Sequence, residues 1–166
     1  MCLKKDKPMK FMEFVSVSAM KAELGATDKE SVVSEMVDAL VAARQLRGED
    51  RDDIIRAIMK REQLGSTGIG RGIAVPHTKH PSVDRLIGTV GISAPGVDFD
   101  SLDGDRVQLF FLLISPPDRP GDHLRALEYI SRQLRDDAFC KVLKQSKSAE
   151  DIQHLLEEAD NNQFVS

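Results

Sequence analysis

Apolar residues recur along this chain with two different periods, and the change of period marks its elements. Val32, Val33, Met36, Val37, Leu40 and Val41 lie on one face of a 3.6-residue repeat, which predicts a helix running to about Leu46. Thr27 and Glu30 supply a T-x-x-E capping box at its start, answering backbone N–H groups that a helix leaves free. Asp50 opens a second predicted helix with Ile54, Ile55, Ile58, Met59 and Leu64 turned inward, and Gly65 stops it. Upstream, FVSVSAMKAEL (14–24) holds a short strand or helical turn and then a strand, closed by Gly25.

From residue 72 the pattern changes to short, nearly unbroken apolar runs. GIAV (72–75) reads as a buried strand ending at Pro76, LIGTVGIS (86–93) as a second, and VQLFFLLIS (107–115) as a central one with no polar break after Gln108. Runs that are apolar at successive positions, not alternate ones, predict a sheet covered on both faces. The turn SLDGD (101–105) separates the last two. PPDRPGD (116–122) leads into a helix from about His123, lined by Leu124, Leu127, Ile130 and Leu134. A last helix begins at Ser148, where Ser148 and Asp151 repeat the capping logic and Ile152, Leu155 and Leu156 dock it. These elements predict one α/β domain over residues 11–160, with a flexible N-terminal tail (1–10) and a C-terminal tail (161–166).

Composition narrows the function. A chain of 166 residues, 41% hydrophobic and 30% charged, has the make-up of a globular domain with a real core. Its net charge of −4 argues against nucleic-acid binding, which normally needs a basic surplus. No apolar run reaches the roughly 18 residues of a membrane-spanning helix, and MCLKKDKPMKF lacks the apolar segment of a secretory signal. The cytoplasm is therefore the expected compartment, with no direct membrane insertion. Cys2 and Cys140 make no disulfide framework, and Cys140, in AFCKVL, reads as a small buried hydrophobe on a helix.

The candidate chemistry lies in GSTGIGRGIAVPHTKHP (65–81), which holds four glycines, two prolines and two histidines. Gly65, Gly68, Gly70 and Gly72 let main-chain N–H groups approach a ligand and form an anion nest, to which Ser66 and Thr67 add hydroxyl donors. A Walker loop is excluded by the missing Lys-Ser/Thr ending, and the G-x-G-x-x-G spacing is absent too. Taken alone, such a stretch is a weak signal and reads as a plain tight connection before it reads as a ligand loop. His77 changes that, because it follows a strand end, where α/β sheets place ligands. Imidazole has an unperturbed pKa of about 6.5 and is abundantly neutral at pH 7, so it can attack phosphorus directly. His123, near a helix start, is the candidate for holding the anion, against the plainer reading of a surface histidine. His80 reads as a solvated loop residue and His154 as structural. A metal-dependent hydrolase built from His77, His80 and Asp84 is a remote alternative.

REQLGSTGIGRGIAVPH (61–77) resembles the signature of the fructose/mannitol-type enzyme IIA domain of the bacterial phosphoenolpyruvate-dependent phosphotransferase system. FFLLISPP…DHLRALEYISRQL (110–134) resembles the second signature of that family, and the likeness extends over roughly residues 14–160. It implies a mixed β-sheet flanked by helices. It also implies that His77 accepts phosphate from an HPr-type carrier, that His123 helps hold it, and that Arg61 and the Ser66–Thr67 loop, with Gly68 and Gly70, border the site. The step needs no metal and no cofactor. A chain of this kind looks most like the nitrogen-regulatory branch (the PtsN type), which acts on protein targets according to phosphorylation state. The alternatives are a sugar-transport enzyme IIA feeding a separate IIB for fructose, mannitol or a related sugar, and a protein-binding module that is never phosphorylated. Two positions depart from the family pattern: Arg71 stands where Asn is frequent, and Thr78 where Gly is common, and both bear on how a donor approaches.

Overall fold

The most apolar run becomes the axis of the molecule. A computed structural model describes residues 9–162, in which Val107–Ser115 forms strand β5 of a five-stranded sheet. The other strands are β1 (Gly68–Gly70), β2 (Ile73–Ala74), β3 (His77–Lys79) and β4 (Ile87–Val97). The α-helices are α1 (Phe11–Phe14), α2 (Lys29–Ala42), α3 (Arg51–Gln63), α4 (Pro120–Gln133), α5 (Asp137–Lys144) and α6 (Ala149–Asn162). Every residue from Leu109 to Ile114 is at most 1% exposed, so β5 is covered on both faces as its unbroken apolar run requires. Leu109, Phe111 and Leu113 pack with Phe11, Tyr129, Ile130, Leu143, Ile152 and Leu156. Phe110, Leu112 and Ile114 face the other way, onto Val33, Met36, Leu40, Ile54 and Ile58 of α2 and α3. Complete burial of each such side chain contributes roughly 1.5–3 kcal/mol, which makes this strand the largest local source of stability.

The sheet is mixed, as the resemblance implies. β4 runs antiparallel to β5, while β2 and β3 run parallel to it along the opposite edge. Ile73 pairs with Leu109 and His77 with Leu113, so the two short strands keep one register and are a single course interrupted at Val75–Pro76. Proline has no N–H to give a ladder, but its carbonyl still accepts from the Leu113 N–H at 3.0 Å. The outer edge of β4 is covered by residues 15–24, which form two isolated parallel bridges there, at Val15 and Lys21. The strand expected in 14–24 is thus reduced to bridges around the one-turn α1 and a 3₁₀ turn at Val17–Ala19.

Several boundaries move. The first long helix is capped by Asp28, whose carboxylate accepts from Ser31 N–H at 2.9 Å, in place of Thr27, and it ends at Ala42, not Leu46. Leu64 is 83% exposed, because Glu62 takes the inward position at the end of α3. Helix α4 starts at Pro120, where a missing N–H costs a helix nothing, about one turn earlier than expected. Its inner face is His123, Ala126, Tyr129 and Ile130, and Leu124 is 64% exposed. Part of the glycine stretch is strand: β1 pairs antiparallel with β2 through a turn in which Gly70, Arg71 and Gly72 have φ of 92°, 58° and 77°. Ser148 caps α6 as expected, accepting from Asp151 N–H at 3.1 Å, and Cys140 is buried on α5. Of the expected tails, residues 1–8 and 163–166 lie outside the described residues.

The chain ends are tied together by one buried carboxylate. Asp160 on α6 accepts from the backbone N–H groups of Phe11 (2.7 Å) and Met12 (3.1 Å) and from the Tyr129 hydroxyl. Removing it strands two buried donors and one partly buried one. Asp160→Ala is expected to cost about 3 kcal/mol and Tyr129→Phe no more than about 1.5, since the phenylalanine variant leaves the carboxylate two partners. Urea unfolding at unchanged slope measures both, and equal losses contradict the assignment.

Candidate active site

The interrupted parallel course decides where the histidine points. His77 is the first residue of β3, level with Leu113, and it is only partly buried. Its Nδ1 lies 2.6 Å from the carbonyl oxygen of Val75, two residues back across Pro76. A carbonyl only accepts, so Nδ1 carries the ring proton and Nε2 keeps its lone pair. Burial is the largest influence on this ring and pulls its pKa below 6.5; the bond to Val75 and the Glu62 carboxylate push upward, and the Arg61 cation pushes down. The net effect favours a neutral imidazole at neutral pH.

His123 meets it from the other side of the strand end. It lies in the first turn of α4, is 6% exposed, and its ring centroid is 5.4 Å from that of His77 with the planes at 54°. Its Nδ1 is hydrogen-bonded to Ser115 Oγ, at the last residue of β5. Burial, then His77 and then Lys79, lower its pKa to about 4, so this ring is neutral as well. The two histidines were 46 positions apart in the sequence (123 − 77), and the β3–β5 pairing with the β5–α4 connection brings them together.

The residues of the glycine stretch have different roles from those expected. Ser66 Oγ donates to Phe99 O at 2.6 Å and accepts from Gly68 N–H at 3.0 Å. Thr67 gives its N–H and its hydroxyl to the Glu62 carboxylate. Arg71 N–H donates to Asp103 at 3.0 Å. These amides and hydroxyls are occupied inside the protein, so the reading as a tight connection describes them and the anion nest does not. Gly68 is needed for another reason: a Cβ there would stand 3.2 Å from the Ser101 backbone and closer still to its side chain. Gly70 serves the turn, through its positive φ. Arg61 lies close enough to influence His77, and its Nη1 donates to Gly65 O at 3.0 Å.

Arg71, one of the two departures from the family pattern, is fastened to Asp137 and to Leu134 O, six residues along the course from His77 (77 − 71). At a rise of about 3.3 Å per residue it lies at most about 20 Å from the histidine, and the partners its side chain has belong to the scaffold. Its φ of 58° is one that Asn adopts more readily than Arg. Thr78 stays beside His77 on β3. His80 is not solvated: it is 7% exposed, with Nε2 bonded to Asp53 at 2.5 Å and Nδ1 to Ser82 Oγ at 2.7 Å. With both ring nitrogens engaged, the His77–His80–Asp84 arrangement is not assembled. His154, expected to be structural, is exposed and paired with Glu158.

Sequence reasoning missed Ser115, Lys29 and above all Glu62. A signal for the last was present, since Glu62 continues the Ile55–Ile58 face of α3 at a position where an apolar residue is expected. A carboxylate there is 5% exposed and paired with Lys29 at 2.9 Å.

Known proteins match this arrangement. The chain is 33% identical over 148 residues to a nitrogen regulatory protein of Bradyrhizobium diazoefficiens, covering 89% of this chain and 95% of that one. It is 36% identical over 152 residues to the fructose-specific EIIABC component of Bacillus subtilis, covering 92% of this chain and 24% of that protein. The fold is similar to the crystal structure of the nitrogen regulatory protein IIA-Ntr of Neisseria meningitidis, with a TM-score of 0.78, 28% identity, and coverage of 87% and 97%. It also resembles IIA mannitol of Escherichia coli, with a TM-score of 0.70, 21% identity, and coverage of 85% and 97%. Among the described residues no helix is long and apolar enough to cross a membrane. With the family model matching residues 13–159, the chain belongs to the EIIA 2 family of the phosphoenolpyruvate-dependent sugar phosphotransferase system.

Proposed function

We propose that this phosphotransferase component is a phosphoryl carrier in which Nε2 of His77 accepts a phosphoryl group from the phosphohistidine of an HPr-type protein. The observation that carries this reading is the bond from His77 Nδ1 to Val75 O, which holds the ring proton on one nitrogen and frees the other for attack. In the step, a P–N bond forms at Nε2 as the donor's P–N bond breaks, and the donor imidazole departs with the electron pair. The His77 ring becomes cationic, and its proton stays on Nδ1, hydrogen-bonded to Val75 O. His123 acts as the stabilising donor: with Ser115 giving its hydroxyl proton to Nδ1, His123 presents Nε2–H to a phosphoryl oxygen. Arg61, whose charge reaches the His77 ring, balances the arriving charge. No metal or nucleotide is required, because phosphoryl transfer between imidazoles is mainly positioning and charge stabilisation.

The regulatory branch is the better-supported role. The nitrogen regulatory proteins match nearly end to end, in sequence and in fold. Phosphorylation then adds a phosphoryl group of roughly −1.5 to −2 charges, which with the cationic ring leaves a side chain of about −1 where a neutral ring stood, enough to change which protein targets bind. A sugar-transport role is the second reading, favoured by the likeness to the fructose-specific component. A IIB acceptor then takes the place of the regulatory target.

Incubation with phosphoenolpyruvate, enzyme I and an HPr-type donor is expected to give an acid-labile, alkali-stable label on the wild type and none on His77→Ala. Persistence of that label in the variant rules His77 out. His123→Ala is expected to keep His77 as acceptor and slow single-turnover transfer by about 10²-fold, the scale of one lost transition-state donor. Because the His77 pKa is lowered, the nucleophile stays neutral to lower pH than a free imidazole. The transfer rate is expected to fall on acidification with its midpoint below pH 6.5. A half-maximal rate at or above pH 6.5 contradicts this.

A further inference from the structure

The loop before the nucleophile is anchored by a chain of hydrogen bonds that the carrier chemistry itself does not use. It begins at Lys29, in the first turn of α2, whose ammonium lies 2.9 Å from the buried carboxylate of Glu62. That carboxylate accepts both the N–H and the hydroxyl of Thr67. The Thr67 carbonyl accepts from Val75 N–H at 3.1 Å, and the Val75 carbonyl in turn receives Nδ1–H of His77 at 2.6 Å. Five residues from three separate segments thus form one unbroken path ending on the reacting ring. Lys29 also binds the facing loop, through Phe99 O at 3.4 Å and Asp100 at 3.6 Å, and Ser66 ties the glycine loop to the same carbonyl.

We infer that Glu62 and Thr67 are positioning residues for His77, fixing the Val75 carbonyl so that the ring holds its proton on Nδ1 and presents Nε2. The argument is one of cost. A carboxylate at 5% exposure loses its hydration, and it is retained in a protein interior when strong partners replace the water. Glu62 has three such contacts, and two of them are to a single residue of the loop. A carboxylate needed only to bind Lys29 has no reason to take both donors of Thr67. Val75 lies between β2 and β3 with its backbone turned away from β5, because Pro76 O takes the Leu113 N–H, so Thr67 O is the backbone partner that steadies it.

This inference rests on the phosphoryl-carrier reading for its consequence, but not for its test. The test uses the full-length protein, with Glu62→Gln, Thr67→Val and the conservative Thr67→Ser. The first readout is the ¹⁵N and ¹H spectrum of the imidazole rings, which reports the tautomer of His77 and His123 separately. In the wild type and in Thr67→Ser, His77 is expected to hold the Nδ1–H form throughout. In Thr67→Val and Glu62→Gln it is expected to mix with the Nε2–H form, while His123, held by Ser115, is unchanged. The second readout is single-turnover phosphoryl acceptance, expected to fall about 10- to 100-fold in the same two variants with the half-saturating donor concentration unchanged. Two controls separate positioning from folding: Thr67→Val leaves the Lys29–Glu62 pair in place, and Thr67→Ser restores the hydroxyl. If His77 keeps its wild-type tautomer in both disruptive variants, or if all rings shift together as the unfolded fraction grows, the inference is wrong. If the wild type takes up no phosphoryl group at all, the carrier reading fails, and the ring spectra alone decide whether the relay exists.

Discussion

The parallel pairing of residues 73–79 along β5 is the constraint from which the site follows. One register places His77 level with Leu113 and Lys79 level with Ser115, so the candidate nucleophile and the residue that holds His123 share one end of the sheet. That register is secured by β5, whose residues are buried on both faces and whose alternate side chains belong to two opposite cores. A slip of one position would exchange those two sets, at a cost of several buried side chains. The geometry of the histidines is therefore as secure as the core is.

Within that frame, the pleat decides where the Val75 backbone points. Pro76 O faces β5 and accepts from Leu113 N–H, so the Val75 N–H and carbonyl face the other way, the first to Thr67 O and the second to the His77 ring. The contact with Thr67 joins this carbonyl to the Lys29–Glu62–Thr67 arrangement. Burial lowers the pKa of both histidines, and this favours two neutral rings facing each other over a charged pair that would repel.

The glycine stretch shows how one composition fits two physical roles. Glycines with adjacent hydroxyls suit an anion nest, and they equally suit a hairpin pressed against another loop. The choice lies in where the donors go, and here they go to Glu62, Phe99, Ser66 and Asp103. In the proposed carrier step, the groups that would meet a phosphoryl group are therefore side chains around His77, with His123.

What the sequence determined by itself was whatever depends on local pattern: the helices α2, α3, α4 and α6, the buried character of β4 and β5, and the Ser148 cap. Each rests on periodicity, turn residues or side-chain chemistry acting over a few positions, which a linear reading can follow. His77, expected after a strand end, instead opens the further strand β3. The tertiary structure decided matters that depend on partners far apart in the chain. Leu64 and Leu124 face outward because Glu62, His123 and Tyr129 take the inner positions, and a helix's apolar stripe does not say which of its edges meets the sheet. His80 is held against α3 by Asp53 of that helix, 27 positions earlier in the chain. The convergence of His77 with His123 exists only once β3 lies beside β5, since hydrogen bonds and ring contacts are made by distance in space, which sequence spacing does not encode.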